Sequence, residues 1–253
     1  MKSLIRLSAV LGIVASSLIG PSLKDMSALA LPEEEIVRKL IEVPVFTITD
    51  QNGSPIVLSV KKEGNETNFS LLTVFMSKSD ADAFVNNKLK GENPDMAAKA
   101  QVVPIPLGKV YEMSQSTQPD GHKLVFDLFP IKRQVESAKA LLQQDGQDVK
   151  QFNGVPLFIA SGGPDNQYLS MQRGEEKFFP MFFNKEDLQG MLDRAKAQQP
   201  DFASSVKIEV VSLERVINAL KNDNENDPFL EKIIFIPPRE SVEFLQQLRQ
   251  SLQ

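Results

Sequence analysis

The protein has 253 residues, a formal net charge of −5 at pH 7, no cysteine and a single histidine, His122. The negative charge disfavours nucleic acid and anionic lipid as partners, and the missing cysteine excludes disulfides and ordinary zinc sites. A chain of this length forms one large or two small domains and can bury a sizeable core.

Residues 1–30 have the pattern of a secretory signal peptide. A short basic stretch at 1–6 precedes an uncharged, mostly apolar run at 7–19, and small residues at 28 and 30 flank a leucine at a cleavage site. The run is shorter than the roughly 20 residues that cross a bilayer, so we predict cleavage after Ala30, with an uncleaved membrane anchor as the alternative. Cleavage would remove three basic residues and one acidic residue, which leaves a net charge of −7.

The remaining chain predicts a short acidic lead helix at 31–42 and then one structural unit written twice. The first repeat unit covers 43–142 and the second covers 155–253, with a polar junction at 143–154. The apolar spacing in each copy indicates, in order, a β-hairpin, a strand, a helix, a strand, a helix, a strand and a helix.

Three pairs of matching segments are the evidence for this repeat. Each copy opens with a Val-Pro-hydrophobic-Phe segment, at 43–46 and at 155–158. A strongly apolar strand follows later in each copy, and a helix cap comes directly after it, at Ser77 and at Asn184. Each copy ends with a strand that runs into proline and a last amphipathic helix. We therefore expect an α+β fold of two tandem, pseudo-twofold-related copies of a β-hairpin plus βαβαβα unit, with small sheets covered by amphipathic helices around one shared core.

No constellation of catalytic or metal-binding residues is evident in the sequence. His122 lies in a polar turn without a neighbouring nucleophile, which is typical of a solvated loop residue. Asp80 and Asp187 stand at equivalent places and could pair for acid-base work, although helix capping explains both. The glycine-rich turn at 161–163 lacks the spacing of a phosphate-binding loop. We therefore predict no catalytic residue, no metal site and no cofactor.

The chain uses sixteen phenylalanines but only two tyrosines and no tryptophan. Core packing is one explanation for the Phe-rich strands. The other is an apolar groove that takes extended or amphipathic segments of a client protein, since exposed apolar patches mark interaction sites. The candidate groove residues on the two apolar strands are Phe75, Met76, Phe179, Met181, Phe182 and Phe183.

The ordered pair of copies resembles the Tic-twenty-two family over residues 36–252. The resemblance rests on the Val-Pro-hydrophobic-Phe openings, on the segments 75–81 and 182–189, and on the closing Phe-Pro-helix pattern. It implies a non-enzymatic, chaperone-like protein of the space between two membranes, which assists protein transport in plastids and outer-membrane biogenesis in cyanobacteria. The implied location here is the periplasm of a cyanobacterium, with the thylakoid lumen also open and the plastid intermembrane space less favoured.

The resemblance also implies the partners. These are unfolded or translocating proteins and the outer-membrane β-barrel assembly machinery. The net charge, and not the resemblance, argues against nucleic acid, and the short apolar run predicts no stable membrane span after signal removal. Two other functions stay open from the residues alone. One is an exported hydrolase that works with carboxylates, and the other is a small-ligand carrier that uses the cleft between the two copies.

Overall fold

A computed structural model describes residues 31–60, 69–115, 123–162, 167–198, 206–222 and 228–251. Within these ranges the fold is α+β, as the sequence predicts, with two sheets covered by helices. The predicted signal peptide, His122 and part of the glycine-rich turn lie outside the described residues.

The first sheet comes from the first half of the chain. Its strands are β1 Pro44–Thr49, β2 Val57–Val60, β3 Phe69–Phe75, β4 Gln101–Pro106 and β5 Lys123–Phe129. Strand β3 is central, since it pairs antiparallel with β1 and β2 and parallel with β5, while β4 pairs antiparallel with β1. The turn after β1 forms because the Asp50 carboxylate accepts hydrogen bonds from the backbone of Asn52 and Ser54, and Gly53 adopts a φ of +81°.

The second sheet comes from the second half of the chain. Its strands are β6 Pro156–Gly162, β7 Gln167–Tyr168, β8 Met171–Arg173, β9 Glu176–Phe182, β10 Lys207–Ser212 and β11 Ile233–Ile236. Strand β9 is central, with β6 antiparallel on one side and β11 parallel on the other, and β10 pairs antiparallel with β6. The strand order β10-β6-β9-β11 therefore corresponds to β4-β1-β3-β5 in the first sheet. The tandem duplication stays a prediction, which this shared order supports.

The helices follow the strands in the predicted sequence of elements. They are α1 Glu33–Leu40, α2 Lys78–Ala83, a π-helical segment Phe84–Leu89, α3 Lys90–Glu92, α4 Pro94–Ala97, α5 Leu107–Gln115, α6 Lys132–Gln144, α7 Lys185–Gln198, α8 Leu213–Asn222, α9 Pro228–Glu231 and α10 Arg239–Ser251. Helix α2 begins at the predicted cap, because the Ser77 hydroxyl accepts a hydrogen bond from the Asp80 N–H at 3.1 Å.

One apolar cluster lies between the two sheets, and we call it the central core. It contains Val45 and Leu72 from the first sheet, Leu157 from the second sheet, Phe183 directly after β9, and Ile36 from α1. All five side chains are at most 2% exposed. Full burial of such a side chain contributes about 1.5–3 kcal/mol to stability. Because the buried side chains of both sheets contact one another in this cluster, each sheet is stabilised by packing against the other.

The outer faces of the sheets are covered by exchanged helices. Helix α6 closes the first half of the chain but packs on β6 and β10 of the second sheet, beside α7. Helix α10 closes the second half but packs on β1 of the first sheet, where the Phe244 ring lies 5.7 Å from the Phe46 ring. Each half of the chain therefore completes the other half's outer layer.

Helix α1 joins the two halves on the inner side. It packs on α5 through Gly108, where an added Cβ would come within 2.6 Å of the Val37 carbonyl oxygen. On its other side the Lys39 Nζ donates hydrogen bonds to the carbonyls of Glu231 and Ile233 at 2.6 and 3.1 Å. Burial lowers the pKa of Lys39, although the charges of Glu35 and Glu231 act against it.

Candidate functional site

The structure places most of the predicted groove residues in the interior. Met76, Met181, Phe182 and Phe183 are at most 5% exposed. The reason is their position on or next to the central strands β3 and β9, which helices and the central core cover on both faces. These four side chains do not line an exposed groove, and core packing accounts for them.

The other two predicted residues lie at the boundary of the core. Phe179 is partly buried, and its ring centroid lies 4.7 Å from that of Phe229. Phe75 is 2% exposed, but it is one of the residues that line an open groove beside α2 and α6. The structure therefore moves the candidate binding surface from the strands to this groove.

We call this surface the aromatic groove. Its volume is about 670 Å³, and its apolar lining consists of Phe75, Ala83, Phe84, Phe129, Pro130 and Val135. The Phe75 ring lies 5.3 Å from that of Phe84 and 5.2 Å from that of Phe129, so three rings form one cluster. Phe129 is 37% exposed, which makes it the ring most accessible to a partner.

Local backbone structure explains why the rings meet. Phe129 is the last residue of β5, because Pro130 after it has no N–H to donate to the ladder. The Phe129 carbonyl accepts the Met76 N–H at 3.0 Å, which holds the end of β5 next to the start of α2. Phe84 begins the π-helical segment that continues α2. Such segments are rare and occur frequently at functional sites. Sequence reasoning missed both rings because it concentrated on the Phe-rich strands, although Phe84 lies on the apolar stripe of the predicted helix.

Charged side chains surround the aromatic groove. Asp80, Lys88, Lys132 and Glu136 line its rim, and the Lys88 Nζ lies 5.5 Å from the centre of the Phe84 ring. Both signs of charge are present in equal number, so the rim does not favour a strongly charged partner. Apolar area and a polar rim are the usual composition of a protein-binding surface.

The second sheet does not repeat the three-ring cluster. Met191 and Ile236 stand where the matching elements would place counterparts of Phe84 and Phe129. Met191 is 8% exposed and packs with Phe182 in the outer cluster of the second sheet. The aromatic groove is therefore a feature of the first half of the chain.

The predicted carboxylate pair does not come together at one site. The Asp80 carboxylate accepts a hydrogen bond from the Ser77 hydroxyl at 2.8 Å, and the Asp187 carboxylate accepts one from the Arg239 N–H at 3.3 Å. Each group stabilises the start of a different helix. No group of three or more Asp, Glu or His side chains arranged to hold a metal ion occurs within the described ranges.

The predicted cap at Asn184 is replaced by a residue that the sequence analysis missed. The Asn184 Oδ1 is buried and finds no partner among the described residues. Instead, the side chain of Gln134 on α6 accepts the Lys185 N–H at 3.0 Å and donates to the Glu186 carboxylate at 2.6 Å. Gln134 is 1% exposed and therefore fixes α6 against the start of α7.

Comparison with known proteins assigns the chain to a family. The sequence model of the Tic22-like family matches residues 5–249. The chain belongs to this family. Among solved structures, Tic22 from Anabaena, a protein transport protein, is 30% identical with a TM-score of 0.75 and aligns over 86% of this chain and 97% of its own. Tic22 from Plasmodium falciparum is 22% identical with a TM-score of 0.65, over 85% and 98% of the two chains, and shows the shared fold.

Two plant members of the Tic22-like family are similar in sequence. A chloroplastic TIC 22-like protein from Arabidopsis thaliana is 27% identical over 216 residues, which is 84% of this chain and 63% of that protein. The chloroplastic TIC 22 protein from Pisum sativum is 24% identical over 215 residues, which is 85% of this chain and 77% of that protein. This chain therefore spans less than two thirds of the Arabidopsis relative.

None of the helices in the described ranges combines the length and the apolar character needed to cross a bilayer.

Proposed function

We propose that this member of the Tic22-like family is a non-enzymatic, chaperone-like protein that binds exported or translocating proteins and so assists protein transport and outer-membrane biogenesis. Its proposed location is the periplasm of a cyanobacterium, or the thylakoid lumen. Family membership supports a role in protein transport. The observation that carries the client-binding part is the aromatic groove, an open apolar surface on the first half of the chain.

The size of the aromatic groove is suited to weak, reversible binding. A client segment that buries roughly 200–300 Å² of apolar surface gains about 5–8 kcal/mol, at about 25 cal/mol per Å². Association and ordering of the segment cost a comparable amount, so the net affinity is low. Low affinity is what a carrier needs if it is to release its client.

The described residues bring together no site that favours either alternative function. The space between the sheets, where a small-ligand carrier would bind its ligand, is filled by the central core and α1. The carboxylates considered for a hydrolase, Asp80 and Asp187, form hydrogen bonds at the N-terminal ends of two different helices. We therefore propose no reaction and no small ligand for this protein.

Substitution of the most exposed ring tests the client-binding proposal. We expect Phe129→Ser to reduce the protection of an unfolded β-barrel protein against aggregation, measured by light scattering after dilution from urea. Met96→Ser is the matched control, since Met96 is 39% exposed and does not line the aromatic groove. The proposal is wrong if both variants protect as well as the parent protein or if both lose protection equally.

The location is tested separately in cells. We expect subcellular fractionation of the parent organism to recover the protein with envelope or lumen markers, and N-terminal sequencing to begin at Leu31. Depletion is expected to make the outer membrane permeable to large antibiotics. Recovery of the protein with cytosolic markers would contradict the proposed location without affecting the binding assay.

A further inference from the structure

The outermost strand of the second sheet, β10, has one edge without a pairing partner among the described residues. Strand β10 pairs with β6 on its other side and stands last in the order β10-β6-β9-β11. In continuation of this ladder, the Leu213 N–H donates to the Val155 carbonyl at 2.7 Å. Backbone groups alternate in direction along a strand, so every second residue before Leu213 also faces β6. The residues between them direct their N–H and C=O groups outwards, to the free edge.

The matching strand of the first sheet has this edge closed by proline. Strand β4 pairs with β1, and the Leu107 N–H donates to the Val43 carbonyl at 2.8 Å, so the even-numbered residues of β4 face outwards. Two of these residues are Pro104 and Pro106, which have no N–H to donate. Proline at an edge prevents the pairing of a further strand. Strand β10, by contrast, contains no proline, so its edge can accept another strand.

The outward-facing residues of β10 carry apolar side chains. Val206, directly before the strand, and Ile208 and Val210 within it are partly buried and pack on the outer cluster of the second sheet. Val206 and Ile208 also line an open cavity of about 380 Å³ between β10, α6 and α7. An incompletely covered apolar row beside a free strand edge is typical of a place where another strand associates.

The residues between them carry opposite charges on the other face of the strand. The Lys207 Nζ lies 3.1 Å from the Glu209 carboxylate, and the two side chains are 50% and 26% exposed. The Ser161 hydroxyl of β6 also donates a hydrogen bond to Glu209. Strand β10 therefore has an apolar row on one face and one positive and one negative charge on the other.

These two rows are self-complementary in one register. Two copies of β10 can pair antiparallel about a twofold axis only at an outward-facing residue, since the others use their backbone groups on β6. An axis at Ile208 places Val206 of one copy opposite Val210 of the second copy. It also places Lys207 opposite Glu209 of the second copy. An axis two residues further along would instead place Glu209 opposite a valine.

From these observations we infer that the free edge of β10 pairs with β10 of a second copy of this chain, antiparallel and centred on Ile208. The two second sheets would then form one continuous sheet, with valine opposite valine on one face and lysine opposite glutamate on the other. Pairing of one short strand buries less than the roughly 1,200–2,000 Å² of a stable interface, so the dimer is weak and depends on protein concentration. The inference goes beyond the proposed function and does not depend on client binding.

Charge substitutions test this register. Lys207→Glu places glutamate opposite glutamate across the twofold axis, and Glu209→Lys places lysine opposite lysine. In sedimentation velocity of the purified protein from micromolar to millimolar concentration, we expect the parent to dimerise. Each single variant should weaken the dimer about five-fold or more. The double variant Lys207→Glu, Glu209→Lys restores the complementary pairs and should dimerise like the parent.

An equimolar mixture of the two single variants is the sharpest measurement. In a mixed pair, two glutamates of one copy face two lysines of the second copy, so the mixture should dimerise like the parent although neither variant does so alone. Loss of the contact between Lys207 and Glu209 within one chain does not produce such a recovery. Lys90→Glu and Glu92→Lys are the matched controls, since these exposed residues on α3 have the same charges and spacing. They should change dimerisation less than two-fold.

A proline in β10 tests the edge independently of charge. Val210 lies opposite Phe158 as Pro104 lies opposite Phe46, so Val210→Pro gives β10 the proline of β4 and should abolish the dimer. Circular dichroism checks that each variant is folded, and the charge variants decide the matter if Val210→Pro is not.

Three outcomes would overturn the inference. These are a parent protein that stays monomeric at every concentration, single charge variants that dimerise like the parent, and a mixture of them that does not recover. If the parent is monomeric and Val210→Pro loses protection in the aggregation assay, the edge binds a client strand and not a second copy. The dimer and the client-binding role of the aromatic groove can therefore fail separately.

Discussion

Gln134 is the side chain on which the packing of α6 against α7 depends. It is almost fully buried and uses both ends of its amide, one on the Lys185 N–H and one on the Glu186 carboxylate. Burial alone would raise the pKa of Glu186, but the hydrogen bond from Gln134, the backbone and the charges of Arg133 and Lys185 together hold it below its ordinary value of about 4.5. The interaction is therefore pH-dependent.

We predict that Gln134→Ala destabilises the protein in a pH-dependent way. Loss of both hydrogen bonds is expected to lower the free energy of unfolding at neutral pH by about 1–3 kcal/mol. A carboxyl with a depressed pKa stabilises the fold above its unfolded pKa and loses that contribution as the pH falls through its folded pKa. The difference between parent and variant should therefore shrink as the pH falls from about 5 to below the ordinary carboxyl pKa. Solvent screening makes this pH-dependent contribution to the free energy of unfolding small, since the Glu186 side chain is 53% exposed.

Urea unfolding at several pH values measures both effects of Gln134→Ala. Gln189→Ala is the control, because Gln189 is an exposed helical glutamine whose side chain donates a hydrogen bond to Asp193 of its own helix. We expect the control to change stability by less than about 0.5 kcal/mol at every pH. A destabilisation of Gln134→Ala that stays constant with pH would show that Glu186 does not contribute to it.

Gly108 allows α1 and α5 to approach each other. An added Cβ would lie 2.6 Å from the Val37 oxygen and 2.9 Å from the Ile41 nitrogen, and these backbone atoms cannot move without shifting α1. We predict that Gly108→Ala lowers the free energy of unfolding by about 1–3 kcal/mol, despite the higher helix propensity of alanine. Gly91→Ala is the control, since nothing lies within 4 Å of its added Cβ, and its stability should be unchanged or up to about 1 kcal/mol higher. Equal effects in urea unfolding would contradict the close-approach explanation.

Among the elements, the two exchanged helices are held differently. Helices α6 and α10 each have 13 residues and follow a strand that ends at proline. The third residue of α6 is Gln134, whose amide donates one hydrogen bond and accepts another. The third residue of α10 is Ser241, whose buried hydroxyl has no partner in the described part of the chain. Ser241 also borders a cavity of about 300 Å³ beneath α10. Helix α10 is therefore packed less tightly on the first sheet than α6 is on the second sheet.

We predict that α10 opens more readily than α6. Amide hydrogen exchange in the first turns of α10 should be faster than in the first turns of α6, because local opening breaks fewer favourable contacts. Ser241→Gln should slow the exchange in α10, since the cavity gives a longer amide room to reach the start of α2. Equal protection of the two helices in the parent protein would show that the difference in hydrogen bonding has no energetic consequence.

At the same scale, the order of elements could be predicted but their exchange could not. The apolar period of two or of 3.6 residues shows that a segment is a strand or a helix with one apolar face. It does not show which sheet that face will cover, so the packing of α6 on the second sheet was not foreseeable from residues 132–144. The capping pattern correctly predicted the N-cap of α2 at Ser77. It was wrong at Asn184, because the side chain of Gln134, which is distant in sequence, accepts the hydrogen bond from the Lys185 N–H at the start of α7.

The aromatic groove shows the same limit. The Phe-rich strands were recognised in the sequence, but a strand that is apolar on both faces is a sign of burial as much as of binding. Phe84 and Phe129 come together only because β5 pairs in parallel with β3 and ends next to α2. This proximity depends on long-range pairing, which local patterns do not encode.

For the whole molecule, the layers bind the two halves of the chain into one unit. The central core contains side chains from both sheets, and α1 contacts α5 on one side and α8 and β11 on the other. The exchanged helices add a second connection on each outer face. Neither half can lose its structure without exposing apolar surface of the other half, which is the condition for a single cooperative transition.

We therefore predict that the two halves unfold together. The chain has no tryptophan and only two tyrosines, Tyr111 in the first half and Tyr168 in the second, so Tyr168→Phe and Tyr111→Phe each leave one half with a fluorescent reporter. In each variant the urea midpoint from tyrosine fluorescence should coincide with the midpoint from far-UV circular dichroism, which serves as the internal control. Ile36→Ala should lower both midpoints together, since Ile36 lies fully buried on α1 and its truncation costs about 2–5 kcal/mol. If Tyr168 reported a midpoint separate from that of circular dichroism, or if Ile36→Ala moved only the Tyr111 signal, the two sheets would be independent domains and the central core would not couple them.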